Sequence, residues 1–146
     1  MESRSLLRVF FICTILCQAA QSAPLLTYVL KINDCKIRVE LADNPKSRQQ
    51  GLMFRHSLPK DSGMLFVYET EHRATMWMKN TSIPLSVAFI DSSGTIVNIE
   101  KMKPMDLSHH KAVSEVKYAL EANFGWFEDN GIQPGARVNG LSIFNR

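Results

Sequence analysis

Between Arg48 and Asn80 the chain gathers most of the side chains that could do chemistry: Met53, Arg55, His56, Met64, His72, Met76, Trp77, Met78 and Lys79. Thioethers, imidazoles and an indole face can together hold Cu(I) in an exported protein. In an extended strand Met76 and Met78 share one face, about 7 Å apart by strand rise, which suits shared ligation. Methionine also fills irregular gaps in an apolar core. The tetrads GLMF (51–54) and GMLF (63–66) carry Leu and Phe as well, so core packing is the favoured use. No metal site is assigned.

The polar set has a different chemistry. Trp77 alternates with Met76 and Met78, so it faces the other side of the strand, and Lys79, Asn80 and Thr81 follow it directly. An indole beside an ammonium and an amide can stack on a sugar or other planar ligand while the polar groups fix its orientation. Asn80 and Thr81 can equally bond neighbouring backbone at a strand end, and Arg55 can satisfy loop carbonyls. Glu121, among Ala119, Leu120 and Ala122, reads as a buried carboxylate paired with Arg48 or Arg55. Such a pair is either a structural ion pair or part of an acid–base site. The candidate ligand-binding residues are therefore Arg48, Arg55, Trp77, Lys79, Asn80 and Glu121.

Most familiar catalytic signatures are missing. There is no HExxH, GxSxG, P-loop, CxxC or GxGxxG pattern. His109 and His110 are adjacent, so an extended backbone sends them to opposite sides, a poor geometry for one metal. Glu69 and Glu71 beside a turn read as solvated. Cys35, without a partnered histidine, reads as inert. No cofactor is implied.

Short apolar runs separated by turn residues, about every ten positions, must position these groups. Tyr28–Ile32 and Lys36–Leu41 read as an N-terminal hairpin turning at Asn33-Asp34. Asn44 before Pro45 starts a short helix, 46–53. Met64–Tyr68 and Ala74–Met78 read as strands joined by a polar turn, 69–73. Ser86–Ile90 and Thr95–Glu100 flank the clear turn Asp91-Ser92-Ser93-Gly94. Residues 117–122 alternate, 124–130 suit a helical turn or two, and 137–144 read as a final strand. About eight strands and two small helices predict an all-β domain, an antiparallel jelly-roll-like sandwich or partly closed barrel.

The N-terminus has Arg4 and Arg8, then an apolar run of about nine residues, then the small-residue segment QAAQSA. That is the layout of a secretory signal peptide, residues 1–23, and the run is well short of the ~20 residues of a bilayer span. The expectation is a secreted or periplasmic domain, 24–146, with no stable membrane anchor after cleavage. Removing Arg4, Arg8 and Glu2 lowers the formal charge from +3 to about +2. No Lys/Arg run exceeds two residues, so there is no electrostatic footprint for nucleic acid. Cys13 and Cys17 leave with the leader, so Cys35 has no disulfide partner within the domain.

The segments RQQGLMFR, GMLFVY, MWMKNTSIPL, AFIDSSGTIV, YALEANFGWFEDNGI and PGARV follow one another in this order. In these motifs the chain resembles the exported bacterial and archaeal proteins of domain-of-unknown-function family 192, over roughly 37–138. The resemblance implies a compact β-rich jelly-roll or barrel domain and brings no established activity, substrate or cofactor. The family usually carries aspartate after IPL, where this chain has Ser86. The reading that follows is a small cell-envelope domain binding a small molecule or envelope partner. The alternatives are an envelope hydrolase or transferase using Glu121, and a periplasmic Cu(I)-binding protein using the methionines.

Overall fold

The computed structural model describes residues 26–144. The expected leader, 1–23, lies outside them. In chain order the elements are β1 (Thr27–Ile32), β2 (Cys35–Ala42), α1 (Pro45–Gln50), β3 (Ser62–His72), β4 (Thr75–Met76), β5 (Leu85–Ile90), β6 (Ile96–Met102), β7 (His110–Lys111), β8 (Val116–Asn123), α2 (Trp126–Asp129) and β9 (Val138–Asn139). A 3-10 turn, Leu141–Phe144, ends the described chain.

Seven strands form one sheet in the order β6-β5-β8-β3-β2-β1-β9, curled into a half-barrel, and β4 and β7 form a separate two-stranded ribbon. The all-β, single-domain reading therefore holds. One pair departs from the antiparallel pattern: β2 and β3 run parallel, Val39 opposite Gly63 and Leu41 opposite Leu65. A parallel neighbour needs a crossover rather than a tight turn, and α1 with the loop after it supplies that connection.

The strands at the centre are covered on both faces. All six residues of β5 are buried, which is why LSVAFI is a continuous apolar run rather than an alternation. Leu30, Ile37, Leu65, Tyr118, Leu120 and Phe127 pack on one face. Met64, Phe66, Met78, Leu85, Val87, Phe89 and Ala119 pack on the other. Burying one such side chain fully contributes about 1.5–3 kcal/mol, so these two cores hold the sheet, with Cys35 a free thiol.

α1 has no buried residue, so its ends rather than its packing define it. Asn44 Oδ1 accepts the Ser47 N–H at 3.0 Å, and Ser47 Oγ accepts the Asn44 N–H at 3.2 Å. Pro45 takes the first helical position, where its missing N–H costs nothing. Asn44→Ala should lower stability by about 1 kcal/mol, measured by urea denaturation; an unchanged midpoint would show that the cap is dispensable.

Several boundaries differ from expectation. The polar segment Glu69–His72 continues β3 instead of turning, and an irregularity between Val67 and His72 interrupts the pairing with β8 before His72 meets Val116. The strand expected over 74–78 keeps ladder pairing only at Thr75 and Met76. The final strand expected over 137–144 stops after Asn139, because Gly140 takes φ 98° and starts the 3-10 turn. The helix expected over 46–53 ends at Gln50, since Gly51 leaves helical geometry at φ 49°, ψ −135°.

Candidate functional site

Among the described residues, Glu121 is the only acid lining a cavity of about 420 Å³, beside Arg48, Gln49, Gln50, Phe66, Met76, Trp77, Lys79 and Asn80. The sheet places it there. In register, Glu40 of β2, Met64 of β3, Glu121 of β8 and Val87 of β5 form one row across four strands. The Glu121 carboxylate thus stands between a thioether and an isopropyl group, with neither an acid nor a base opposite it. It is 4 % exposed, and its Oε2 has no hydrogen-bond partner among the described residues. Burial pushes its pKa up to about 8, because the charged form loses its hydration with nothing in return.

The expected ion pair with Arg48 or Arg55 is not formed. Arg55 pairs with the other acid of the row, Glu40, its two terminal nitrogens 2.6 and 2.5 Å from the carboxylate oxygens. That hydrogen bond, with the Glu40 charge, holds the guanidinium above its ordinary pKa against the opposing effect of burial. Arg55 does not line the cavity, so its role in the structure is to bind Glu40. Arg48 donates to the Val67 carbonyl at 3.0 Å and, at 3.4 Å, to the exposed Glu69. Both partners lie on β3, and neither of these bonds involves Glu121.

The turn after β4 forms one wall. Phe54 N–H donates to Asn80 O at 2.8 Å, Met105 N–H to Thr81 O at 2.9 Å, and Met78 N–H to Asp106 O at 2.8 Å. Thr81 Oγ1 donates to Lys79 O at 3.1 Å, as expected for a side chain closing a strand end. Loops on both sides therefore clamp 78–81, and Asn80 is held at φ 54°, a region that asparagine tolerates better than most residues. Trp77 is 45 % exposed while Met76 and Met78 are buried, so the alternation predicted for this segment is present. Lys79 Nζ rests 5.3 Å from the Trp77 ring centroid. That ammonium must shift before a planar ligand can stack on the same ring face.

Met64, Met76 and Met78 belong to the second core, and the Tyr68 hydroxyl donates to Met76 Sδ at 3.5 Å. Among the described residues, no group of three or more His, Cys, Asp or Glu side chains is placed to hold a metal ion. His110 points inward with its Nδ1 4.0 Å from Glu100 Oε2, while His109 sits 6.3 Å from Trp77, ring centre to ring centre. Cys35 Sγ donates to Asn130 Oδ1 at 3.3 Å. Ser86 lies on the opposite face of β5 from Val87, away from Glu121, and its Oγ accepts the Gly125 N–H at 3.0 Å.

Five of the six sequence candidates, Arg48, Trp77, Lys79, Asn80 and Glu121, thus line one cavity. Gln49, Gln50 and Phe66 line it too, beyond the sequence candidates, and Tyr68 lies nearby without lining it. Gln49 and Gln50 follow Arg48 on α1, a signal available in the sequence. Tyr68 is marked only by its surroundings: burial raises its pKa well above the ordinary phenol value, the Glu121 charge adds to this, and Arg48 opposes it.

No curated protein sequence matches the chain. A crystal structure from Sinorhizobium meliloti 1021, provisionally named a transcription regulator, is similar at 35 % identity with TM-score 0.78, over 82 % of this chain and 98 % of that one. A protein of unknown function from Novosphingobium aromaticivorans DSM 12444 is similar at 32 % identity with TM-score 0.76, over 79 % of this chain and 86 % of that one. The model of the DUF192 family, described as "Uncharacterized ACR", matches residues 28–140, and the chain belongs to that family.

Proposed function

We propose that this protein is an exported, small-molecule-binding domain of the cell envelope, and that its ligand occupies the cavity over Glu121. One observation carries the reading: a buried carboxylate oxygen without a hydrogen-bond partner among the described residues, on a wall of a cavity large enough for a small molecule. An unsatisfied buried polar group costs about 1–3 kcal/mol, and the row it interrupts would pack well with Leu or Met. A ligand that supplies the missing hydrogen bond accounts for its presence.

Export rests on the N-terminal leader pattern alone. The regulator name of the Sinorhizobium relative would imply a nucleic-acid partner, but the charge distribution here, with no Lys/Arg run above two, favours a small ligand. An acid kept neutral near pH 7 is also what a general acid requires, which supports the hydrolase or transferase reading. No serine or cysteine lines the cavity among the described residues, so binding ranks first.

The test is a fragment screen followed by nuclear magnetic resonance. Methyl signals of Met53 and Met76 and the indole signal of Trp77 should move together on titration with hits. Hits that leave these signals in place, or a screen with no hits at all, would remove the reading.

A further inference from the structure

We infer that the ligand of this cavity is a small organic acid with an apolar body. Its carboxylate or phosphate faces Arg48 and Lys79, and an acceptor oxygen meets the Glu121 carboxyl. The inference rests on the cavity being a binding site and names the class of molecule it takes.

The charged side chains lining the cavity are Arg48, Lys79 and Glu121. Arg48 has five N–H donors, and its hydrogen bonds to Val67 O and Glu69 engage two nitrogens. Glu69 is largely exposed, with 74 % of its side chain accessible, and screens little of the guanidinium charge. Lys79 is exposed beside Trp77. Two cations therefore stand at the opening, and the amides of Gln49, Gln50 and Asn80 add further donors.

Deeper in, Glu121 is enclosed by Met64 and Val87, with Phe66 and Met76 close by. Arg48 from α1 and Lys79 from the turn after β4 line the same cavity, and Tyr68 from β3 lies near enough to feel the Glu121 charge; β5 offers only apolar side chains on this face. None of them bonds its Oε2. Burial keeps the carboxyl protonated through most of the neutral range, so it is available to donate a hydrogen bond to a ligand. The Tyr68 phenol is also raised, above its ordinary value. A site with cations at its entrance, a neutral donor at its base and apolar walls selects an anion with an apolar body and a second acceptor oxygen. It selects against amines, which would meet Lys79 and Arg48 first.

Calorimetric titration of the mature full chain with four probes tests this: 6-hydroxyhexanoate and 6-hydroxyhexyl phosphate, whose far hydroxyl supplies the second acceptor oxygen, with hexylamine and hexanol. The acids should bind and the amine should not; whichever acid binds tighter distinguishes a carboxylate ligand from a phosphate one. Affinity for the acids should fall by up to tenfold per pH unit above about pH 8 as Glu121 ionises. In Glu121→Gln that pH dependence should flatten, and in Lys79→Met acid binding should weaken about tenfold. Thermal melts of both variants establish that they fold. Binding of hexylamine that strengthens with pH, or acid binding unchanged in both variants, overturns the assignment. Binding of hexylamine or hexanol alone, with the Trp77 signal moving, overturns the acid class and leaves the cavity a binding site. No response from any probe overturns the acid class, and a failed fragment screen would separately remove the cavity itself.

Discussion

Glu121→Gln should be more stable than the wild-type chain at pH 9, by roughly 3–4 kcal/mol, and close to it at pH 5. The Glu121 carboxyl has a folded-state pKa of about 8 against an ordinary 4.5. Between these values the folded chain holds a proton that the unfolded chain has released. Stability from this group is therefore full below about pH 4.5, falls as pH rises towards 8, and is lost above it. A tenfold change in a protonation equilibrium corresponds to about 1.4 kcal/mol. The glutamine carries no charge and removes the whole dependence, although its amide keeps some of the cost of an unpartnered polar group. Urea denaturation from pH 5 to pH 9 measures it. Parallel stability curves for the two proteins would show that Glu121 is paired or hydrated in solution, and the cavity reading would go with that result.

The second large effect is expected at Gly63→Ala. Gly63 on β3 lies opposite Ala122 of β8, and a Cβ there would overlap the Glu121 carbonyl oxygen and press on Ile37 Cδ1 at 3.2 Å. A flexible side chain could yield, but the obstacle is backbone in the middle of the sheet. Overpacking typically costs about 1–3 kcal/mol, and the rigid obstacle places this substitution at the upper end or beyond. The same displacement would shift Glu121, so the variant should lose both thermal stability and any fragment response. A melting temperature within a degree or two of wild type would mean that β3 and β8 sit farther apart than described. Gly131→Ala is the contrast: nothing lies within 4 Å of a Cβ there, so only its left-handed φ of 64° opposes the change, a cost of about 1 kcal/mol.

Local signals in the chain were enough to fix the element types wherever a single physical cause acts. The Asn44–Pro45 start of α1 follows from capping alone. The alternation in Lys36–Leu41 and the Asp91–Gly94 turn follow from a two-residue period and turn chemistry. Trp77 out and Met76 and Met78 in follows from the same period. Segment 69–72 departs from expectation because charge and polarity suggest a turn, whereas an irregular, exposed stretch of strand that rejoins β8 at His72 solvates the same side chains equally well. Segment 137–144 failed because one glycine at φ 98° outweighs a run of strand-compatible residues.

Glu121 marks the boundary between the two kinds of information. Its apolar neighbours in sequence announce burial, and that much belongs to the residues themselves. Which groups oppose it depends on the parallel β2–β3 pairing and the register that puts Met64 and Val87 beside it while Arg55 closes on Glu40. Those contacts join positions 34 and 57 residues apart in the chain, where no local propensity acts. Arg55 neutralises Glu40, and Glu121, two strands farther along the row, keeps an oxygen without a hydrogen-bond partner among the described residues, because charge pairing is decided by distance in space and not along the chain.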